Sequence, residues 1–160
     1  MSNSEPPPQP KLVSDVLAGS LEIVLCKVAA AVNKLSEEIP EAPGGIKINH
    51  HHLLRFLTIA GPVSQQEISE GANVDRSTMT DWIDELEGKG LVERRKNPND
   101  RRAYEIHITD KGIEALEEST EAVEQFRQKA FGALNARDRK TLLELLLRLA
   151  NSGDLPRACG

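Results

Sequence analysis

A mainly α-helical chain carrying one small β-hairpin is expected here, on three observations. Apolar residues recur at three- and four-residue steps through most of the 160 residues, the spacing that lines one face of a helix. That period gives way to strand-like runs only between Leu91 and Thr109, on either side of the turn chemistry of Asn97-Pro-Asn-Asp100. Hydrophobic residues make up 39% of the chain and aromatic ones only 3%, so the core must be aliphatic.

Residues 1–11 are rich in proline and polar residues and are expected to form a disordered tail. A long helix is expected over Leu12 to Leu35, where Leu17, Leu21, Val24, Val28, Ala31 and Leu35 make a coiled-coil-like stripe. The segment Pro40-Glu-Ala-Pro-Gly-Gly45 then breaks the chain, so residues 12–45 read as a dimerisation helix and linker. A second helix runs from Ile48 to Ala60, with Leu53, Phe56 and Leu57 on one face and Gly61-Pro62 at its end. Ser64-Gln-Gln-Glu67 matches a capping box opening a short helix that ends near Gly71. Asp75 is the expected N-cap of a helix from Arg76 to Gly88. Val74, Met79, Ile83 and Leu86 supply its inward face, and Ser77, Thr78, Thr80 and Asp81 project from the other side.

Two short helices joined by Gly-Ala-Asn-Val suggest a helix-turn-helix. Gly88-Lys-Gly90 stops the second of them. Strands follow over Leu91 to Lys96 and Ala103 to Thr109, the latter with Tyr104, Ile106 and Ile108 on one face. A hairpin in that place is a wing, so residues 46–112 read as a winged helix-turn-helix. Thr109 caps one further long helix marked by Ile113, Leu116, Thr120, Val123 and Phe126. Asn135 caps a last one, where Leu142, Leu145, Leu146 and Leu149 form an apolar face. Residues 113–153 are therefore expected to be terminal dimerisation helices and residues 154–160 a loose tail. An apolar stripe on a terminal helix needs a cover.

The formal net charge is −5, yet Lys89, Arg94, Arg95, Lys96, Arg101 and Arg102 cluster in one stretch opposed only by Glu93 and Asp100. Such a segment on an acidic body is a local footprint for a polyanion. Cys26 and Cys159 lie far apart with no Cys-x-x-Cys, which suits a reducing cytoplasm. The N-terminus lacks the basic start and apolar run of a secretory signal, and no apolar run approaches a membrane span. No nucleophile motif, glycine-rich phosphate loop or close carboxylate pair suggests an enzyme, and no cofactor is implied. Consecutive helical residues point about 100° apart, so His50, His51 and His52 cannot converge on one metal without ligands such as Glu41 or His107. No metal is assigned. Cys26, beside Lys27, is a candidate redox thiol or a small buried hydrophobe.

The stretches Ser64-Gln-Gln-Glu-Ile-Ser-Glu-Gly-Ala-Asn-Val-Asp-Arg-Ser-Thr-Met-Thr80, Leu86-Glu-Gly-Lys-Gly-Leu-Val-Glu-Arg-Arg-Lys-Asn-Pro-Asn-Asp-Arg-Arg102 and Ile108-Thr-Asp-Lys-Gly112 together resemble the MarR family (multiple antibiotic resistance regulators). The resemblance implies a homodimer with interleaved first and last helices, bound to the double-stranded DNA of a pseudo-palindromic operator. The recognition helix would enter the major groove and the wing the minor groove. It also implies control by a small-molecule effector or by oxidation, with repression the commonest behaviour. The sequence departs from the family where Asp81 and Glu85 stand, positions at which Arg or Lys is common.

Candidate DNA-contacting residues are Ser64, Arg76, Ser77, Thr78, Thr80 and Asp81 in the helix-turn-helix and Arg94, Lys96, Arg101 and Arg102 in the wing. Asp100 is expected to orient Arg94 or Arg102. Arg76 can hold a phosphate or read guanine; Asp81 can accept from a cytosine amine or repel the backbone. Arginines at a wing tip either reach a narrow minor groove or are merely solvated. By the same resemblance, Lys27, His51, His52 and Arg55 are candidates for an anionic effector's pocket. The competing readings are a redox- or metal-sensing regulator of the same fold and a winged-helix protein-interaction module. The mark of the last would be an uncharged wing.

Overall fold

The structure, a computed structural model, describes residues 19–72, 74–98 and 103–153. It divides into two units, residues 1–38 and 39–160. In the first, helix α1 (Leu21–Glu38) follows the non-helical Gly19 and Ser20, and the Ser20 carbonyl accepts the Val24 N–H at 3.1 Å. Among the described residues the first helix therefore starts at Leu21 and runs past Leu35 to Glu38. Residues 12–18, with Leu17 of the stripe, lie outside the described residues, as do the tails 1–11 and 154–160. No residue of α1 is buried.

The second unit runs α2 (Ile48–Ala60), β1 (Val63–Ser64), α3 (Gln65–Ala72), α4 (Arg76–Gly88), β2 (Val92–Lys96), β3 (Tyr104–Ile108), α5 (Asp110–Glu118), α6 (Thr120–Phe131) and α7 (Ala136–Ala150). Four of its helices, α3, α4, α5 and α7, start where side-chain caps satisfy free N–H groups. The Ser64 hydroxyl accepts from Glu67 N–H at 3.2 Å, and the Glu67 carboxylate reaches back to Ser64 N–H at 2.8 Å. Asp75, Thr109 and Asn135 accept from the N–H groups of Thr78, Gly112 and Asp138 at 2.9, 3.0 and 2.9 Å. These caps hold α3, α4, α5 and α7 at the registers that the sequence suggests.

The core is aliphatic. Leu53, Leu54 and Leu57 of α2, Ile68 of α3, and Met79, Ile83 and Leu86 of α4 meet Leu91, Val92 and Ile106 from the hairpin, all buried. Each such side chain contributes about 1.5–3 kcal/mol by leaving water. Phe56, Val74 and Trp82 pack at its margin.

The hairpin is one part of a three-stranded antiparallel sheet in the order β1-β3-β2. β2 and β3 pair from Val92 opposite Ile108 to Lys96 opposite Tyr104, and Val63 of β1 lies opposite Ile106. Tyr104, Ile106 and Ile108 alternate along β3, with Ile106 buried and Tyr104, next to the turn, half exposed. A difference lies after the sheet. The single helix expected from Thr109 through Phe126 is two, α5 and α6, parted at Ser119. The Ser119 and Thr120 hydroxyls both donate to the Leu116 carbonyl, at 3.0 and 3.1 Å, drawing that acceptor out of the regular ladder.

At the base of the hairpin, Thr109 N–H bonds the Leu91 carbonyl at 3.1 Å. A Cβ on Gly112 would collide with that same carbonyl and with Ile108. The first turn of α5 rests directly on the backbone where β2 begins, and only glycine allows the approach.

Candidate nucleic-acid interface

The expected residues of the helix-turn-helix lie on two adjoining elements, Ser64 at the cap of α3 and the others on α4, which Gln65 and Thr80 tie together. Arg76, Ser77 and Asp81 lie exposed along the first turns of α4, with Thr78 and Thr80 half buried beside them. Asp75 stabilises this end as a cap. The Ser77 hydroxyl donates to its carboxylate at 2.5 Å and Thr78 N–H at 2.9 Å, and these hydrogen bonds hold its pKa well below the usual carboxylate range. Thr80 sits deeper than expected for a base-contacting side chain. Its hydroxyl donates to the Arg76 carbonyl at 2.7 Å and accepts from Gln65 Nε2 at 2.6 Å, tying α4 to α3. Ser64 likewise spends its hydroxyl on Glu67, at 2.7 Å.

The wing's cations fall into two groups. The Arg94 guanidinium is three-quarters buried and turned back onto α4, where it pairs with Asp84 at 2.5 Å and with Glu87. Arg94 N–H also donates to Glu87, at 3.0 Å. Arg94 is therefore a strut between wing and recognition helix, held by Asp84 and Glu87; Asp100, its expected partner, lies outside the described residues, with Arg101 and Arg102. Lys89 also turns inward, its ammonium on the Gly45 carbonyl at 2.5 Å. Arg95 pairs with Glu93 on its own strand. Lys96 is exposed and makes no ion pair among the described residues.

The histidine run divides as helical geometry dictates. His50 is fully buried, its Nε2 3.2 Å from a Glu85 carboxylate that also takes Lys47 at 2.8 Å. His51 is buried with Nδ1 2.8 Å from the Ser119 hydroxyl. Burial, and then the charges of His52, Arg127 and Arg55, push its pKa down to about 4. His52 stands exposed with its ring edge-on to His51, 5.6 Å between centroids. His52 and Arg55 are thus brought together with Arg127 of α6, a residue with no local signal to mark it. Lys27 and the exposed Cys26 belong to the first unit; Cys159 lies outside the described residues. Among the described residues no group of three or more His, Cys, Asp or Glu side chains is placed to hold a metal ion, and no helix is long and apolar enough to cross a membrane.

Residues 46–104 match the sequence model of the MarR family. The chain is also 33% identical over 121 residues to the Bacillus subtilis HTH-type transcriptional regulator YdgJ, spanning 76% of this chain and 74% of that protein. The chain belongs to the MarR family. It is a transcription regulator of the MarR type and not an enzyme. It shares 28% identity with the HTH-type transcriptional repressor NicR of Pseudomonas putida, over 63% of this chain and 67% of NicR. Among solved structures it is similar to a mutant of E. coli MarR complexed with operator DNA, at 26% identity and a TM-score of 0.68, covering 85% of this chain and 99% of that one. The fold also matches the PcaV regulator of Streptomyces coelicolor, solved with its natural ligand, at 19% identity and a TM-score of 0.72 over 89% of this chain and 99% of that one.

Proposed function

We propose that this MarR-family protein binds a pseudo-palindromic operator as a homodimer, represses the genes beside it, and is released by a small anionic effector. One observation carries the reading. Arg76, Ser77 and Asp81 line the exposed, capped N-terminal half of α4, and the wing is joined to the C-terminal half of the same helix through Arg94. The N-terminal residues of such a helix reach base edges when it enters a major groove, and Arg76 makes no ion pair among the described residues. Arg101 and Arg102 of the wing supply the further phosphate or minor-groove contacts in this reading. The operator-bound MarR relative and the repressor NicR support it.

The dimer rests on α7. Leu142, Leu143, Leu145, Leu146, Leu147 and Leu149 are all exposed there, and none of its residues is buried. Leu21, Leu25 and Val28 of α1 are exposed too. To read two half-sites, the second copy that covers the α7 face has to set the two recognition helices about 34 Å apart, one duplex turn.

The effector reading rests on Arg55 and Arg127 with His52 beside them, and on PcaV's ligand as precedent. An anion settling among these cations would raise the depressed pKa of His51 and take up protons. Calorimetry with a panel of small aromatic carboxylates near pH 6, in buffers of differing ionisation heat, would show that uptake; binding with no proton uptake places the effector elsewhere.

Fluorescence anisotropy against the duplex upstream of its own gene, at two salt concentrations and beside an unrelated duplex, tests the main reading. Tight, selective, salt-sensitive binding is expected. Absence of binding even at low salt overturns it and favours a protein-interaction module.

A further inference from the structure

Helix α4 and its cap carry five carboxylates, and four of them are occupied. Asp75 is bound by the Ser77 hydroxyl and Thr78 N–H. Asp84 and Glu87 share the Arg94 guanidinium, and Glu85 takes the Lys47 ammonium at 2.8 Å. Asp81 is different: it is exposed and makes no ion pair or hydrogen bond among the described residues. It stands one helical turn after Ser77, on the same exposed face, in the half of α4 that meets base edges.

A bare carboxylate there is repelled by phosphates in every groove that the helix could enter. It is offset only where the base presents a hydrogen-bond donor. The major groove offers two such donors, the N6 amine of adenine and the N4 amine of cytosine. Adenine sets its N7 lone pair beside the amine, which repels a carboxylate, whereas cytosine presents its amine with no acceptor beside it on the same base. Resting on the DNA-binding reading above, we propose that Asp81 is a specificity-determining residue. It accepts a hydrogen bond from the N4 amine of one cytosine in each half-site and disfavours any other base there. The residue acts as much by rejection as by attraction, since its charge lowers the affinity for every sequence lacking that cytosine.

The test is selection from a pool of randomised duplexes, sequenced, for the full-length wild-type protein, Asp81→Ala and Asp81→Asn. The side chain is exposed and has no hydrogen-bond or ion-pair partner among the described residues, so neither substitution breaks a bond that holds the fold. The wild-type motif is expected to hold one C·G pair per half-site, with cytosine preferred about five-fold or more. Asp81→Ala should accept any base at that pair, keep the rest of the motif, and bind unselected duplex more tightly than wild type. Asp81→Asn should move the preference toward adenine, which an amide can pair with through N6 and N7. A motif that persists unchanged in both variants overturns the assignment of Asp81 alone. A wild-type protein that enriches no sequence overturns the DNA-binding reading and the assignment with it.

Discussion

His51 and Gly112 show how single side chains set the conditions under which this domain stays folded. His51 titrates near about 4 in the folded chain but near 6.5 when unfolded. The unfolded state therefore binds more protons between those values, and acid favours it. The contribution of His51 is complete above pH 6.5 and is lost as pH falls toward about 4, at up to about 1.4 kcal/mol per pH unit. Denaturant midpoints measured between pH 7 and pH 4 should fall, and more steeply for the wild type than for His51→Gln; parallel slopes would show that His51 is not the titrating group. Gly112 has no room for a methyl group against the Leu91 carbonyl. Gly112→Ala should lower the melting temperature, with a cost of about 1–3 kcal/mol for the backbone shift it forces. An unchanged melting temperature would mean that α5 can slide on the hairpin.

Among the helices and strands, the join between wing and recognition helix matters most. Arg94 fills a slot between Asp84 and Glu87 with a planar fork, which a lysine's point charge cannot replace. Arg94→Ala should weaken operator binding about ten-fold or more by freeing the wing and leaving two carboxylates facing the DNA, while far-ultraviolet circular dichroism stays the same. Arg94→Lys should recover only part of the loss; full recovery would show that charge alone is needed. This join also marks the limit of what could be read from the residues. Ser64 with Glu67, Asp75 with Thr78, Thr109 with Gly112 and Asn135 with Asp138 are each three residues apart, so every one of these caps was visible as a local pattern. Glu87 and Arg94 act across a helix, a turn and a strand, and His51 and Ser119 are 68 residues apart; no local spacing encodes such pairs. β1, with two residues, is too short to show any period. The exposed face of α4 was legible because a capped helix has a fixed phase. That Arg94 faces inward and that Asp81 has no partner among the described residues was not, because both depend on which neighbours fold against them.

For the proposed dimer, the exposed leucines of α7 supply the interface. Placing charge in that face, as Leu145→Asp with Leu149→Asp, should give a monomer in sedimentation at micromolar concentration. The circular dichroism of the winged domain should be preserved, since no residue of α7 is buried within the subunit. The monomer should bind a single half-site weakly and gain little from a second, because the two contacts are no longer linked. A double variant that still sediments as a dimer would move the interface away from α7.

The two residues of β1 have a consequence of their own. Ser64 is at once the partner of Glu105 in the sheet and the cap of α3, so the turn-side half of β3 and the first helix of the DNA-binding pair share one anchoring point. Glu105 and Ile106 are flanked by strands on both sides, whereas β2 is an edge whose Glu93, Arg94, Arg95 and Lys96 discourage pairing with another chain. In hydrogen-exchange terms, the amides of β3 should open only with the domain as a whole, and those of β2 sooner. An evolving or engineered wing can therefore change its reach by gaining or losing residues between Asn97 and Ala103. The same change at Glu105 or Ile106 would unseat α3 along with the sheet.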